Sequence, residues 1–287
     1  MTEARVCIFG EVLFDHFPDG ARVLGGAPFN VAWHLQAFGQ MPYFISRVGA
    51  DPDGEAVRRA MRAWGMDECG MQADQALPTG RVSVTFNEGE PSYDIVHPCA
   101  YDAIDAAVPA PACRLLYHGT LALREAGSRA ALAALKANEP ALVFVDVNLR
   151  SPWWDVAGVL AQLRDADWVK LNSEELALLH PDADPRAFIA IHDLRGLILT
   201  HGGDGAEVFT VDGAHHAVSP DGEADVVDTV GAGDAFASVM ILGIARGWPL
   251  AETIRRAQNF ASRMVGQRGA TVSDQTFYSS LRRDWQF

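Results

Sequence analysis

Val227-Asp228-Thr229-Val230-Gly231-Ala232-Gly233-Asp234-Ala235-Phe236 is the stretch on which both the fold and the chemistry turn. Gly231-Ala232-Gly233 carries at most one Cβ, so the backbone there can approach a ligand closely. The apolar run that follows, Ala235–Arg246, reads as a long helix that starts at once. Its free amides and the positive end of its dipole therefore converge on the turn. Such an anion cradle suits a phosphoryl group in transfer. Asp234 stands at its mouth, and two roles are open to it. A carboxylate there can accept the proton of an attacking hydroxyl as a phosphoryl group arrives in line. An Asp at a helix start can equally serve as a cap.

Upstream of this turn, short apolar runs alternate with helical patterns. Val6–Gly10, Tyr43–Val48, Leu115–His118, Ala141–Val145, Trp168–Leu171 and Leu197–Thr200 read as buried strands, being short, continuous and rich in Val, Ile, Leu and Phe. Pro28–Phe38, Glu55–Trp64, Ser128–Lys136, Val156–Leu163 and Ser173–Leu179 read as the helices between them. The alternation predicts an α/β fold, a mostly parallel sheet sandwiched by helices, with residues 1–287 as a single domain. Helices take over at the C-terminus in Ala235–Arg246, Leu250–Gly266 and Ser273–Arg282. One segment breaks the rhythm. Arg81–Val96 alternates with period 2 on either side of Asn87-Glu-Gly-Glu90, which predicts a β-hairpin with one apolar and one polar face. A parallel sheet has no obvious place for it. The hairpin reads as a flap at about 80–98, with 12–24 as a second candidate lid segment, covering a site or meeting another subunit. The alternative is an antiparallel edge extension.

Composition narrows the function classes. The chain has 287 residues, 49% of them hydrophobic and 21% charged, with a formal net charge of −14. That sign leaves no electrostatic footprint for nucleic acid and would be repelled by an anionic membrane. No apolar run approaches the roughly 18 residues of a membrane helix. Met1–Phe9 reads as the approach to a first strand rather than a signal peptide. Cys7, Cys69, Cys99 and Cys113 are far apart with no CxxC, so no disulfide framework or zinc site is expected. These features predict a soluble, cytoplasmic protein. Of the 23 basic residues only Lys136 and Lys170 are lysines, and neither follows a glycine, which excludes a Walker A loop. Any ATP chemistry here is expected to rely on Arg, helix dipoles and backbone amides.

Asp228-Thr-Val-Gly-Ala-Gly-Asp234 resembles the DTxGAGD motif of the ribokinase-like (PfkB) sugar kinases, with Val230 where Thr is usual. The resemblance continues in order along nearly the whole chain. Gly10-Glu11-Val-Leu-Phe-Asp15 looks like the family's first strand ending in a sugar-binding aspartate. Gly25-Gly26-Ala27-Pro28-Phe29-Asn30-Val31-Ala32 is similar to its N-terminal glycine motif, and Arg47–Gly54 to its VGxDxxG segment. Asp146-Val147-Asn148-Leu149-Arg150 resembles DxNxR, with Val147 where Pro is common. Asn172-Ser173-Glu174-Glu175 resembles the NxxE magnesium motif, and Thr200-His201-Gly202-Gly203 with Gly205 the nucleotide-side TxGxxG. The resemblance implies ATP and Mg²⁺ as cofactors and a small sugar as acceptor. It implies Asp234 as general base beside Gly231, Ala232 and Gly233. It also admits K⁺ near Asp228 and the Gly266–Gly269 loop, and a homodimer formed through the lid.

Each block has a physical reading of its own. Asp15 and Asn30 offer acceptors and a mixed donor–acceptor amide, which suits sugar hydroxyls; the alternatives are a loop acceptor after strand one and a helix-start residue. Gly25 and Gly26 would bring backbone within reach of the sugar. Asn172 and Glu175, three apart, share one side of a helix's first turn and could hold a hydrated Mg²⁺ through water, or form a capping box with Ser173 as cap. Thr200, Gly202, Gly203 and Gly205 could admit ATP phosphates or make a tight turn. Arg150 could contact phosphate or pair with Asp146. Asn259 resembles the family position near the adenine, or it bonds a neighbouring turn. His215-His216 lacks carboxylate spacing for a metal site. Trp153-Trp154 reads as packing, with stacking on a ligand as the alternative. Asp51/Asp53 and Asp165/Asp167 read as solvated loop charges.

Among these kinases the chain resembles bacterial fructokinases most, in Gly80-Arg81-Val82, Pro91–Val96, Ala100-Tyr101-Asp102 and His118–Arg124. Ribokinases usually carry Gly-Lys-Gly-Ala-Asn where Gly26-Ala27-Pro28-Phe29-Asn30 stands, which argues against ribose. Fructose is the first expectation and 2-keto-3-deoxygluconate or another keto-sugar the second. A non-catalytic sensor on the same scaffold is the competing class. A dinucleotide oxidoreductase fails because Gly10-Glu11, not GxGxxG, follows the first strand.

Overall fold

Strands with apolar side chains on both faces can be stable only with helices above and below them. That is the arrangement in the computed structural model, which describes residues 5–87, 90–107, 111–182, 184–220 and 226–286. The chain runs from β1 (Arg5–Phe9) through two short strands, β2 (Leu13–His16) and β3 (Arg22–Gly25), into α1 (Ala27–Ala37). β4 (Tyr43–Gly49), α2 (Pro52–Trp64) and β5 (Met71–Asp74) follow, then β6 (Gly80–Asn87) and β7 (Glu90–Ile95). Next come β8 (Cys113–His118), α3 (Ala126–Lys136), β9 (Val143–Asp146), α4 (Val156–Gln162) and β10 (Trp168–Asn172). After these lie α5 (Ser173–Leu179), α6 (Pro185–His192), β11 (Gly196–Thr200), β12 (Ala206–Thr210) and β13 (His215–Val218). Three helices end the described chain: α7 (Ala232–Arg246), α8 (Leu250–Met264) and α9 (Gln275–Asp284).

The main sheet has the order β13-β12-β11-β10-β9-β8-β1-β4-β5. It is parallel from β5 to β11, and β12 and β13 add antiparallel at one edge. Side-chain alternation divides the core between its faces. Ile8, Phe44, Tyr117, Phe144, Trp168 and Ile198 pack with α1, α7 and α8. Their neighbours Val145, Val169, Leu171 and Leu197 pack with α4, α5 and α6, and Cys7, Phe9 and Leu116 with α3. Lys170 shares the parity of Trp168, and Asp146 that of Phe144. Both therefore face the α7 side, a placement that matters below.

The hairpin forms as expected, but it is no extension of the main sheet. β6 and β7 join β2 and β3 in a separate four-stranded sheet, β3-β2-β6-β7, in which β2 and β6 run parallel. The turn residues Glu88 and Gly89 lie outside the described residues. Asp15 consequently sits on β2 of this small sheet, neither at the end of the first strand nor in a loop after it, because the chain leaves the main sheet at Phe9. Two further expectations are corrected. Asp51 caps α2 by accepting from the Gly54 amide at 2.8 Å and also accepts from the Thr79 amide and hydroxyl, while Asp53 pairs with Arg22 and with His16 at 3.0 Å. That pairing ties the small sheet to α2. Asp167 likewise accepts from the Val143 amide and pairs with Arg195. These carboxylates, read as solvated, are fasteners.

Candidate active site

Ligand sites in open α/β sheets form outside the carboxyl ends of the strands, and there the N-terminus of α7 meets β1, β9 and β10. Gly231 is the N-cap of α7, held at φ 80°, and no side chain caps the helix. An added Cβ on Gly231 would lie 2.4 Å from the Ala270 Cβ and 2.5 Å from its Cα, so only glycine closes this turn. Asp228 fastens the approach to it, accepting from the Val230 and Gly269 amides at 3.0 Å each. Because Asp234 is not the cap, its carboxylate is left for other partners.

Its partner is Asn30, 204 residues away on buried α1, whose Nδ2 donates to Asp234 Oδ2 at 2.8 Å. The Asn30 Oδ1 is buried with no partner of its own. Asp234 keeps a solvent-facing edge, yet the protein around it displaces enough water to push its carboxyl up to about 6. The Asn30 bond opposes that rise, the Asp146 carboxylate adds to it, and Lys170 and Arg150 oppose it. At neutral pH the group is mostly ionised and can take a proton.

Glu11 follows β1 and is buried, with Oε2 unpartnered. Desolvation pushes its carboxyl up to about 7, against its own backbone amide and Arg150, with Asp234 reinforcing the rise. Asp15 is half-buried, and desolvation raises it as well, against Arg150 and His16. Gly26 lies at φ 107°, where a Cβ would come within 2.8 Å of the Glu11 carbonyl oxygen, and a Cβ on Gly25 would stand 3.9 Å from Asn30 Oδ1. Arg150 is exposed and, among the described residues, forms no ion pair; its charge acts on Asp15, Glu11 and Asp234 together. The pairing of Arg150 with Asp146 is not formed, because Asp146 belongs to Lys170.

That last residue is the one sequence reasoning passed over. Lys170 Nζ donates to both oxygens of Asp146, at 3.0 and 2.9 Å, across directly paired positions of β9 and β10. Tyr117 donates to the same carboxylate at 3.4 Å. The ammonium lies 3.6 Å from where a Cβ on Gly233 would stand. The signal was available. A lysine inside the apolar strand Trp168-Val-Lys-Leu-Asn172 must be buried, and a buried charge must be paired.

The remaining candidates lie at the ends of β10 and β11 and on α8. Asn172, not Ser173, caps α5 by accepting from the Glu175 amide at 2.8 Å, and the Glu175 carboxylate in turn accepts from the Asn172 amide at 2.8 Å. The other Glu175 oxygen accepts from the Leu149 amide at 2.7 Å. With both oxygens engaged by backbone, the pair does not fit direct metal ligation; contact with a hydrated cation through water is what the geometry leaves open. Among the described residues no group of three or more His, Cys, Asp or Glu side chains is placed to hold a metal. Thr200 is the register partner of Asn172. Gly202 and Gly203 face open space, whereas a Cβ on Gly205, at φ 111°, would come within 2.0 Å of the Val218 carbonyl oxygen. Asn259 is half-buried and lines a cavity of about 190 Å³ with Val218, Ser219, Arg255 and Gln258. A groove of about 1030 Å³ between α3 and α4 contains none of these residues. Trp153 at its rim packs under the Arg124 guanidinium, 4.5 Å away. His215 stacks on Phe209, and both His215 and His201 pair with Glu207.

Known proteins resemble the chain along nearly its whole length. The pfkB family carbohydrate kinase profile matches residues 7–276. A fructokinase of Klebsiella pneumoniae is 32% identical, the match covering 94% of this chain and 95% of that protein. The solved aminoimidazole riboside kinase of Salmonella enterica, complexed with aminoimidazole riboside and an ATP analogue, superposes with a TM-score of 0.83 at 27% identity, covering 96% and 99% of the two chains. The fructokinase of Vibrio cholerae, solved with fructose, ADP and calcium ion, gives a TM-score of 0.81 at 26% identity, covering 96% and 98%.

Proposed function

The chain belongs to the pfkB family of carbohydrate kinases, and from that premise we propose that it transfers the ATP γ-phosphoryl group to a hydroxyl of fructose. The observation that carries the reading is the Asn30–Asp234 bond at the N-terminus of α7. It holds an oriented, mostly ionised carboxylate beside the N-terminal amides of α7, of which the Ala232 amide is already donated to the Thr229 carbonyl at 3.3 Å. Asp234 takes the proton of the attacking sugar hydroxyl, the oxygen bonds to the γ-phosphorus, and the bond to the bridging oxygen breaks, releasing ADP. The Gly231 and Gly233 amides receive the charge on the transferred group, while the Ala232 amide donates to Thr229. Asp15, Asn30, Gly25 and Gly26 hold the sugar, and Arg150 stands by for its oxygens or the phosphoryl group. Asn30 Oδ1, buried without a donor, awaits a sugar hydroxyl.

Thr200, Gly202, Gly203, Gly205 and Asn259 form the nucleotide side. When bound, Mg²⁺ neutralises phosphate charge, and Asn172 and Glu175 would meet its hydration shell. The sheet of β2, β3, β6 and β7 serves as the lid, excluding water as a competing acceptor.

Fructose is favoured because the chain is about 30% identical to several fructokinases. The likeness to an aminoimidazole riboside kinase makes that riboside the second acceptor to test. Purified protein with ATP and Mg²⁺ is offered fructose, ribose, 2-keto-3-deoxygluconate and the riboside, with ADP release followed by a coupled assay. Fructose should be turned over fastest; no preference for it over ribose, 2-keto-3-deoxygluconate and the riboside would overturn the assignment. Among the described residues no helix is long and apolar enough to cross a membrane.

A further inference from the structure

The chain enters and leaves the small sheet at four points: Val12 before β2, Gly25 at the end of β3, Gly80 at the start of β6 and Val96 after β7. One side chain bears on three of them. Arg124, beyond β8, pairs with Asp102, and the two side chains are only 3% and 2% exposed. Its Nε donates to one Asp102 oxygen at 2.6 Å and its Nη2 to the other at 2.9 Å. The same Nη2 reaches the Val96 carbonyl oxygen at 2.8 Å and the Tyr101 hydroxyl at 3.1 Å. Tyr101 is fully buried, its ring 5.1 Å from the guanidinium. That ring packs on Gly80, where an added Cβ would stand 2.6 Å both from the ring and from the Val12 carbonyl oxygen. The guanidinium also lies 4.5 Å over the Trp153 ring, and the Trp153 amide donates to the Arg150 carbonyl at 2.9 Å.

A buried ion pair is weak evidence for stability, since apolar residues of similar volume often do as well. What a guanidinium fork adds is geometry, because its planar donors fix several partners at set angles. We propose that Arg124 is a positioning residue for the acceptor: it seats the small sheet on the main sheet and ties the Arg150 turn to the same point. Asp15 lies on β2 just beyond Val12, and Arg150 just before Trp153. The two acceptor-facing charges, one on the lid and one on the main body, are thereby held in a fixed relation. Arg124 itself needs no contact with sugar or phosphate. Lysine cannot replace it, since a single ammonium has no fork to span both Asp102 oxygens and still hold Val96.

Two arms test this, and the first rests on the carbohydrate kinase reading above. In R124K the KM for the acceptor sugar should rise about tenfold, with kcat and the KM for ATP within about twofold of the parent, the pattern of lost acceptor binding. The double variant R124M/D102N leaves no orphaned charge and keeps an acceptor for the Cys99 amide, which Asp102 holds at 2.8 Å. Its Tm should lie close to the parent's while its acceptor KM stays high, a separation that a merely structural role would not give. The second arm needs no turnover. Hydrogen exchange in resting protein should be about tenfold faster at the β6 and β7 amides of both variants and unchanged at those of β8, β9 and β10. An acceptor KM that stays parental in both variants would overturn the proposal, as would exchange that is unmoved or raised equally throughout. An inactive parent whose β6 and β7 amides still exchange faster in both variants would sink the kinase reading and leave the seating role standing.

Discussion

Replacing Gly231 with alanine adds one methyl group at the hinge of the phosphate cradle. The backbone there is at φ 80°, and an L side chain in the left-handed region costs about 1–2 kcal/mol. The new Cβ would also stand 2.4 and 2.5 Å from the Ala270 Cβ and Cα, groups that cannot rotate away. Overpacking of that kind costs about 1–3 kcal/mol. The two together give about 2–5 kcal/mol, which in a chain of this size lowers Tm by roughly 5–15 °C. The strain is released by tilting the first turn of α7, and misdirecting one amide of the cradle should cost about 10²–10³ in kcat. Gly233→Ala is the control. It needs no left-handed backbone, and its nearest neighbour is Lys170 Nζ at 3.6 Å, so its stability should stay within about 1 kcal/mol of the parent. Thermal melts and steady-state kinetics on both variants decide the matter. A Gly231→Ala protein with parental Tm and kcat, or a Gly233→Ala protein destabilised as much, would refute the steric reasoning.

Asn30→Ala removes the bond that opposes the rise of the Asp234 carboxyl, so the acid limb of kcat should climb from about 6 by about one unit, with a higher sugar KM. An unmoved limb in a pH–rate series would count against the pairing. Glu11→Gln tests the buried carboxyl beside the site. A carboxyl held near 7 when folded and near its ordinary value when unfolded gives stability that is full below about pH 4 and lost as pH rises to about 7. The variant should therefore resist urea better than the parent at pH 8, by on the order of 3 kcal/mol, and no better at pH 4. Shortening the β6–β7 hairpin should raise the ratio of ATP hydrolysis to sugar phosphorylation, read as free phosphate against sugar phosphate; an equal ratio argues against a lid.

The parallel sheet was legible because its strands are continuous apolar runs of the length buried strands require. β2, β3 and β13 were not, being four residues each with exposed or half-exposed positions that carry no periodic signal. α6, eight residues behind a Pro, is too short to show a helical period. The Gly231–Asp234 turn stood out because it resembles the DTxGAGD motif and opens a long apolar helix; on its own, a carboxylate at a helix start reads equally as a cap. Its supports did not, because Asn30 and Lys170 reach it only through tertiary packing. The two-lysine count was read as excluding a Walker loop, and it hid the fact that one of those lysines is buried under the cradle. Asp51, Asp53 and Asp167 were misread for a related reason: a polar residue in a loop looks solvated until the backbone amide or arginine that it holds comes into view.

The most direct measurement replaces one oxygen of Asp234 with nitrogen and asks whether turnover and sugar binding part company. Asp234→Asn preserves size and can still meet Asn30 after an amide rotation, so fructose affinity by calorimetry should stay within a few-fold of the parent. Phosphorylation should fall by about 10²–10⁴, the usual loss when a general base is removed. Turnover close to the parent's in that variant would contradict the account.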